Sequence, residues 1–429
     1  MKNPLALLFV FLFFSVYAQT NNSVDTYKVN QDFGKIIQDL SDNYIYLKDK
    51  KTDFDCVKDS YSKVISKVKT NQERVLFFEY LLNEFYDNNL ILNTKTKSSF
   101  RLHSPFYIAL KNDKFYIQNI WFSKVKDFGK NILGAEILNF NSKEFNKVID
   151  KFPTQCVDKT IPEVREWIAN KIISGRSIEQ RILTLALTGG KKISLDIDKI
   201  QIKKENKLLS VRKKNGIAVV RFNNSLGNLN LIKRFDSQLN SLLETKGLIL
   251  DLRNTIDGNN EYVIKAIMSR FIDKDLPYQK YVTKEKYGNN PEITKSGLEF
   301  VSPRAVQYNK PVVVLVGKWT GNGGESLAIG LDGMDSAKIV GTEMGSFVGG
   351  TTNYSFKNRT YGYRITTNKL YHINGLEREK FIPEFNIIQE SILNDDVLEK
   401  AISLFEIKSN NDFVSDVVTK NNIVSKIDK

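Results

Sequence analysis

The chain has 429 residues, of which 41% are hydrophobic and 26% charged, with a formal net charge of +14 and only two His and two Cys. At roughly 150 residues per domain this is too long for one compact core, so two or three domains are expected. The lysines are scattered among acids without a dense basic block, which reads as a solvated surface and not a nucleic-acid interface, and the absence of any C-x-x-C spacing argues against a Cys/His metal centre, so no metal or other cofactor is expected.

The first segment, MKNPLALLFVFLFFSVYAQT, has one Lys, an apolar run over 5–16 and a Val16-Tyr17-Ala18 exit. This predicts a signal peptide over 1–18 cut before Gln19, because the run is shorter than the roughly 20 residues that span a bilayer. Export to the periplasm or the exterior is expected, with no membrane insertion of the mature chain. Over 19–100, segments such as FGKIIQDLSDNYIYL and VISKVKTNQERVLFFEYLLNEFY repeat apolar residues at helical spacing and predict a helical N-terminal domain. Over 101–207 the texture changes to short strands (FYIAL, KFYIQNIW, ILGAEILNFN, KKISLDI) with a helical insert at IPEVREWIANKII. There GAEILNFNSKEFNKVID, a strand, an Asn141-Ser142 turn and a helix, resembles the second half of a PDZ domain.

Over 208–406 the runs GIAVVRF, GLILDLR, KPVVVLVG and AKIVGTE are almost wholly apolar and alternate with helical patterns such as LIKRFDSQLNSLLE and EYVIKAIMSRFI. Strands buried on both faces and joined by helices predict a mostly parallel α/β sheet. A polar tail occupies 407–429. Cys56 and Cys156 would close a loop worth up to about 4.7 kcal/mol if paired. They fall in different predicted domains, so two free thiols are favoured over a disulfide.

Five segments in order, RFNNSLGN, LILDLRNTIDGNN, VLVGKWTGNGGESLAIG, KIVGTEMGSFVGG and LYHINGLEREKFIPEF, resemble the tail-specific, C-terminal-processing serine peptidases, most nearly their tricorn-core and retinoid-binding-protein-like branch. The resemblance covers about 211–390 strongly and the rest more loosely. It implies a multi-domain α/β fold: a crotonase-like or Clp-protease-like core with a helical cap and a PDZ-like module. It also implies that the nucleophilic Ser lies three residues before the Glu of the T-G-S-x-G-E turn, a position held here by Asn322. The branch's base, a His in a D-G-H or D-N-H loop, corresponds to Asn89 in YDNNL. The other branch's Ser-Lys dyad has no counterpart either, since no Lys occurs between Lys338 and Lys357.

An amide nitrogen shares its lone pair with its carbonyl and cannot be activated as a hydroxyl can, and an Asn does not titrate near neutrality. Both reacting groups are therefore expected to be missing. By the same resemblance the backbone N–H groups of Gly258 and Gly323 would form the oxyanion hole, although Asn259 replaces the family's second glycine. Glu379 would be the carboxylate that orients the catalytic group, or else an exposed acid beside Arg378. Ser326 is the alternative nucleophile, but one helical turn would displace its hydroxyl by about 5–6 Å, so a packed or capping serine is the better reading. His372 reads as a strand or turn residue on the core and His103 as a surface residue at a domain boundary.

These readings lead to an exported, catalytically inactive homologue of tail-specific peptidases that binds extended peptides or protein C-termini by adding a strand to the PDZ-like sheet, with a backbone nest for the carboxylate. Two alternatives remain open: an active serine peptidase with a misaligned or non-standard nucleophile, and a structural or surface-assembly protein.

Overall fold

The computed structural model describes residues 24–406 except 95, 126–130, 286–287, 358 and 360. The predicted signal peptide and polar tail lie outside the described residues. The chain begins with three helices, Thr26–Asn43, Phe54–Val64 and Asn71–Asn83. Each starts where a side chain takes up otherwise unpaired N–H groups. Asp25 accepts from Tyr27 and Asp53 from Asp55 and Cys56, while Thr70 and Glu73 form a reciprocal capping box. The helices enclose Val29, Ile36, Leu40, Val57, Tyr61, Phe78 and Leu81. Phe356, Tyr363 and Ile365, nearly 300 residues later, complete the same core.

The second unit is an antiparallel sheet in the order Phe106–Lys111, Lys114–Ile120, Glu136–Phe140, Ile182–Ala186, Lys192–Asp196, with Lys143–Glu144 pairing Glu136–Phe140. Helix Pro162–Ser174 follows the predicted insert. It buries Val164, Ile168, Ala169 and Ile173 in this unit's core, so the insert is part of the packing and not an excursion from it.

The third unit carries the predicted α/β sheet, ordered Phe385–Asn386, Lys338–Gly341, Val312–Val316, Gly247–Asp251, Ile217–Phe222, Leu209–Lys214, and parallel except for the last pair. Side chains alternate across it. Leu248, Leu250, Val312, Val314 and Val316 meet helices Asn230–Asn240, Glu261–Met268 and Gly323–Gly333, while Ile249, Val313 and Leu315 meet helix Asp396–Glu406. A further antiparallel sheet, Ile91–Leu92, Gly362–Tyr371, Leu276–Glu285, Ile293–Val301 with Gly350–Ser355 on Gly362–Tyr371, ties this unit to the helical one.

The cysteines correct the sequence expectation, because Cys56 and Cys156 form a disulfide, their Cα atoms 5.9 Å apart. Buried Glu84 brings them together: its carboxylate accepts from Tyr61 Oη at 2.7 Å and from the backbone N–H groups of Gln155, Cys156 and Val157. That cradle draws the segment around 156 against the helices, so a boundary between domains does not separate the two sulfurs. Among the described residues no helix is long and apolar enough to cross a membrane, and no group of three or more His, Cys, Asp or Glu could hold a metal ion.

Candidate functional site

Strand Val312–Val316 leaves the central sheet, turns through Thr320 and Gly321, and enters helix Gly323–Gly333 at Asn322. Asn322 has φ 45° and ψ −105°, a backbone conformation that non-glycine residues rarely adopt and that survives only where the surroundings fix it. Several bonds do so here. Its N–H donates to Glu325 Oε2 at 2.9 Å, the neighbouring Thr320 carbonyl accepts from Gly345 at 2.8 Å, and the Thr320 hydroxyl donates to the Leu252 carbonyl at 2.9 Å. Thr320 is fully buried, committed to that bond, and offers no free hydroxyl for attack.

Gly258 and Gly323 do come together. Gly258 has φ +90°, and a Cβ there would lie 2.7 Å from the Gly227 nitrogen. A Cβ on Gly323 would meet the Gly258 carbonyl oxygen at 2.8 Å and the Asn259 Cα at 3.3 Å. Only glycines allow these backbones to approach so closely. The Gly323 N–H is one of the first-turn groups that a helix leaves unpaired.

Asn89 is fully buried beyond the end of helix Asn71–Asn83, its N–H donating to Asp87 Oδ1 at 2.7 Å. Its side-chain amide donates to the Val348 carbonyl at 2.8 Å and makes no hydrogen bond with Asn322. The two asparagines are instead linked through one segment. Phe347 N–H donates to Glu325 Oε1, the partner of Asn322, and the next residue, Val348, is the acceptor for Asn89. Arg378, buried beside them, donates to the carbonyls of Phe347 and Gly349 at 2.7 Å each and to Ser326 Oγ at 3.1 Å. Ser326 is thus held by a guanidinium, which has no lone pair to take a proton, and among the described residues no base is bonded to it. Burial pushes the Glu325 carboxyl up to about 7, with Arg378 opposing the shift.

Glu379 is half-buried and accepts from Tyr46 Oη of the N-terminal helical unit at 3.0 Å. Burial raises its carboxyl above the usual range. His372 is a buried turn residue, its ring stacked on Phe381 at 5.9 Å between centroids, as expected.

His103 departs from expectation. It lies at the boundary between units, but only 19% of its side chain is exposed, and Nε2 is 2.8 Å from Asp257 Oδ1, next to Gly258. Burial opposes ionisation of Asp257, but the bonds from His103 and from Asn224 hold its carboxyl below the ordinary range. The sequence hid this pair because 154 residues separate its members. Beside it a chamber of about 140 Å³ opens among Asp87, His103, Lys171, Asp257, Trp319 and Arg364. Trp319 in its wall stacks from behind on Trp121, with ring centroids 5.4 Å apart and planes 10° from parallel. Trp319 also donates to the Ser104 carbonyl at 3.0 Å.

The sheet edge nearest this chamber is not open. Along Phe106–Lys111, the N–H of Ile108 donates to Asn170 Oδ1 and that of Leu110 to Glu166 Oε2, while Asn170 Nδ2 donates to the Ile108 carbonyl. Helix Pro162–Ser174 has therefore taken backbone groups that an added strand would need. The other edge, Lys192–Asp196, has no outer strand among the described residues.

A model of peptidase family S41 matches residues 216–387, and a model of the tricorn protease C1 domain matches 25–83. Among solved structures, mature CPAF complexed with lactacystin is 14% identical with a TM-score of 0.58, over 90% of this chain and 97% of that one. The photosystem II D1 C-terminal processing protease is 12% identical, TM-score 0.53, over 85% and 94%. A putative peptidase from Parabacteroides merdae is 15% identical, TM-score 0.50, over 88% and 96%. At such identities these likenesses show the fold alone. No curated protein matches the chain in sequence.

Proposed function

Because the chain belongs to the tail-specific peptidase family S41, we propose that it keeps the family's peptide-handling scaffold without its chemistry and binds extended peptides or protein C-termini non-covalently. The motif spacing in the sequence carries the reading: counted from the T-G-x-x-G-E turn and the YDNNL loop, the nucleophile and base positions would fall on Asn322 and Asn89, neither of which can attack a carbonyl or shuttle a proton. The bond from the Asn89 amide to the Val348 carbonyl supports a packing role for that side chain. Ser326, the alternative nucleophile, is bonded to Arg378 and to no base among the described residues. With Asn170 and Glu166 on the Phe106–Lys111 edge, strand addition in a PDZ-like manner would fall to Lys192–Asp196. The apolar run over 5–16 and the disulfide both suit an exported protein in an oxidising compartment.

The protein should neither react with a serine-directed fluorophosphonate nor cleave unfolded peptides. It should bind members of a free-C-terminus peptide library at micromolar affinity, about −8 kcal/mol. Stoichiometric labelling mapped to Ser326 or another core serine would establish the active-peptidase reading instead. A library that yields no binder would leave a structural role as the better account.

A further inference from the structure

The chamber beside His103 holds more positive charge than it pairs. Arg364, on strand Gly362–Tyr371, and Lys171, on helix Pro162–Ser174, both line it. Among the described residues neither forms an ion pair. The Arg364 guanidinium reaches Asn89, its carbonyl at 3.3 Å and its side-chain oxygen at 3.5 Å, and no other hydrogen-bond partner among the described residues. The Lys171 ammonium has no hydrogen bond among the described residues and lies 5.0 Å from the ring centre of Phe100 and 5.7 Å from that of Trp167.

The carboxylates in the walls are already engaged. Asp87 accepts from Tyr44 Oη, Thr366 Oγ1 and the Asn89 N–H. Asp257 takes His103 and Asn224, and Lys318, the remaining cation, is matched by Glu343 at 2.8 Å. Taking a guanidinium or ammonium out of water without a directly bonded counter-charge is costly, and burial holds both Lys171 and Arg364 below their ordinary pKa even though Glu79 acts on the first, and Asp87 and Asp257 on the second, across a gap. Two such cations lining one void suit an anion that arrives from outside. At about 140 Å³, several times the roughly 10–15 Å³ that admits one water, the void has room for a carboxylate with a small organic group. Ile91, Leu102, Ile256 and Trp319 offer that group apolar walls.

We propose that this chamber, where all three units meet, is a carboxylate-binding site in which Arg364 and Lys171 supply the countercharge and the apolar walls receive the adjoining group. The carboxylate could belong to a peptide C-terminus or to a free small organic acid. In the first case the proposal rests on the peptide-binding reading, and moves the carboxylate from a sheet-edge nest to the chamber.

The test is calorimetric titration of the intact protein with two probe sets: library-selected peptides as free acids and as C-terminal amides, and butyrate and phenylacetate beside their primary amides. Arg364→Gln and Lys171→Met are compared with the parent chain. Free acids should bind at least tenfold more tightly than the matching amides, and each substitution should erase most of that difference. A merely structural role would lower thermal stability without altering the acid-to-amide ratio, and Lys171→Met, which keeps an apolar stem, covers the case in which Arg364→Gln does not fold. Peptides that bind the parent and both variants alike would overturn the chamber and leave peptide binding standing. Small acids that bind through Arg364 and Lys171 while no peptide does would support the chamber and overturn peptide binding. Acids and amides that bind alike, or no binding by either probe set, would overturn the chamber.

Discussion

Glu325 is fully buried, and its two carboxylate oxygens separately accept the N–H groups of Asn322 and Phe347 while the Arg378 guanidinium lies 3.7 Å away. One side chain thus fixes the strained turn and the segment bonded to Asn89. The arrangement has a signature in pH. A native carboxyl at about 7 against 4.5 in the unfolded chain means that the folded state holds the extra proton between those values. The stability contributed by neutral Glu325 is therefore complete below about pH 4.5 and is lost as pH rises through about 7, a swing of up to about 3 kcal/mol. Glu325→Gln abolishes that titration, at the cost of one accepted hydrogen bond, about 1 kcal/mol at every pH. Urea unfolding at pH 5 and pH 8 should show the parent losing more stability across the interval than the variant. Equal losses would show that another group sets the slope.

At the scale of elements, the turn into helix Gly323–Gly333 is packed to the limit of its backbone. A Cβ on Gly324 would lie 2.1 Å from Thr255 Oγ1 and 3.1 Å from Thr320 Cγ2, both on buried side chains. Gly324→Ala should destabilise the protein by about 2–3 kcal/mol through overpacking. Gly34 sits on the exposed side of helix Thr26–Asn43 with nothing within 4 Å of a Cβ, so Gly34→Ala should stabilise by about 0.5–1 kcal/mol. Urea midpoints of the two variants should move in opposite directions. Elements of this kind were legible in the sequence. GIAVVRF, GLILDLR, KPVVVLV and AKIVGTE became four neighbouring parallel strands because burial on both faces leaves an unbroken apolar run. Leu276–Glu285, Ile293–Val301 and Gly350–Ser355 were not legible. Apart from Tyr278, Gln279 and Val301 they are half-buried or exposed, carry Lys, Glu, Thr and Asn, and find partners through pairing that no local period announces. The site divides in the same way: Asn322, Gly323 and Gly258 stood in recognisable turns, whereas His103 with Asp257, Lys171 and Arg364 meet only through the tertiary fold.

Across the whole molecule, the units are stitched at widely separated points. Tyr46 of the helical unit bonds Glu379, Trp319 of the α/β unit bonds Ser104 and stacks on Trp121, and Tyr363 joins the helical core. The disulfide is the covalent member of this set, joining Cys56 in the second helix to Cys156, beside the backbone N–H groups that Glu84 gathers. It spans 100 residues, and a loop of that length restricts the unfolded chain by about 4.7 kcal/mol in the chain-entropy model. Glu84 and Tyr61 would keep the segment near the helices after reduction, because their hydrogen bonds do not depend on the sulfurs. The expected outcome is therefore a native fold that unfolds more easily, not a rearranged one. Cys56→Ser with Cys156→Ser should lower unfolding stability by roughly 2–5 kcal/mol, shift the chain's mobility on a non-reducing gel relative to the parent, and leave its circular dichroism spectrum unchanged. Parent protein treated with a thiol reductant should lose the same stability. A parent chain that shows no gel shift on reduction, or a double variant as stable as the parent, would show that the bond does not form in solution or does not restrain the unfolded state.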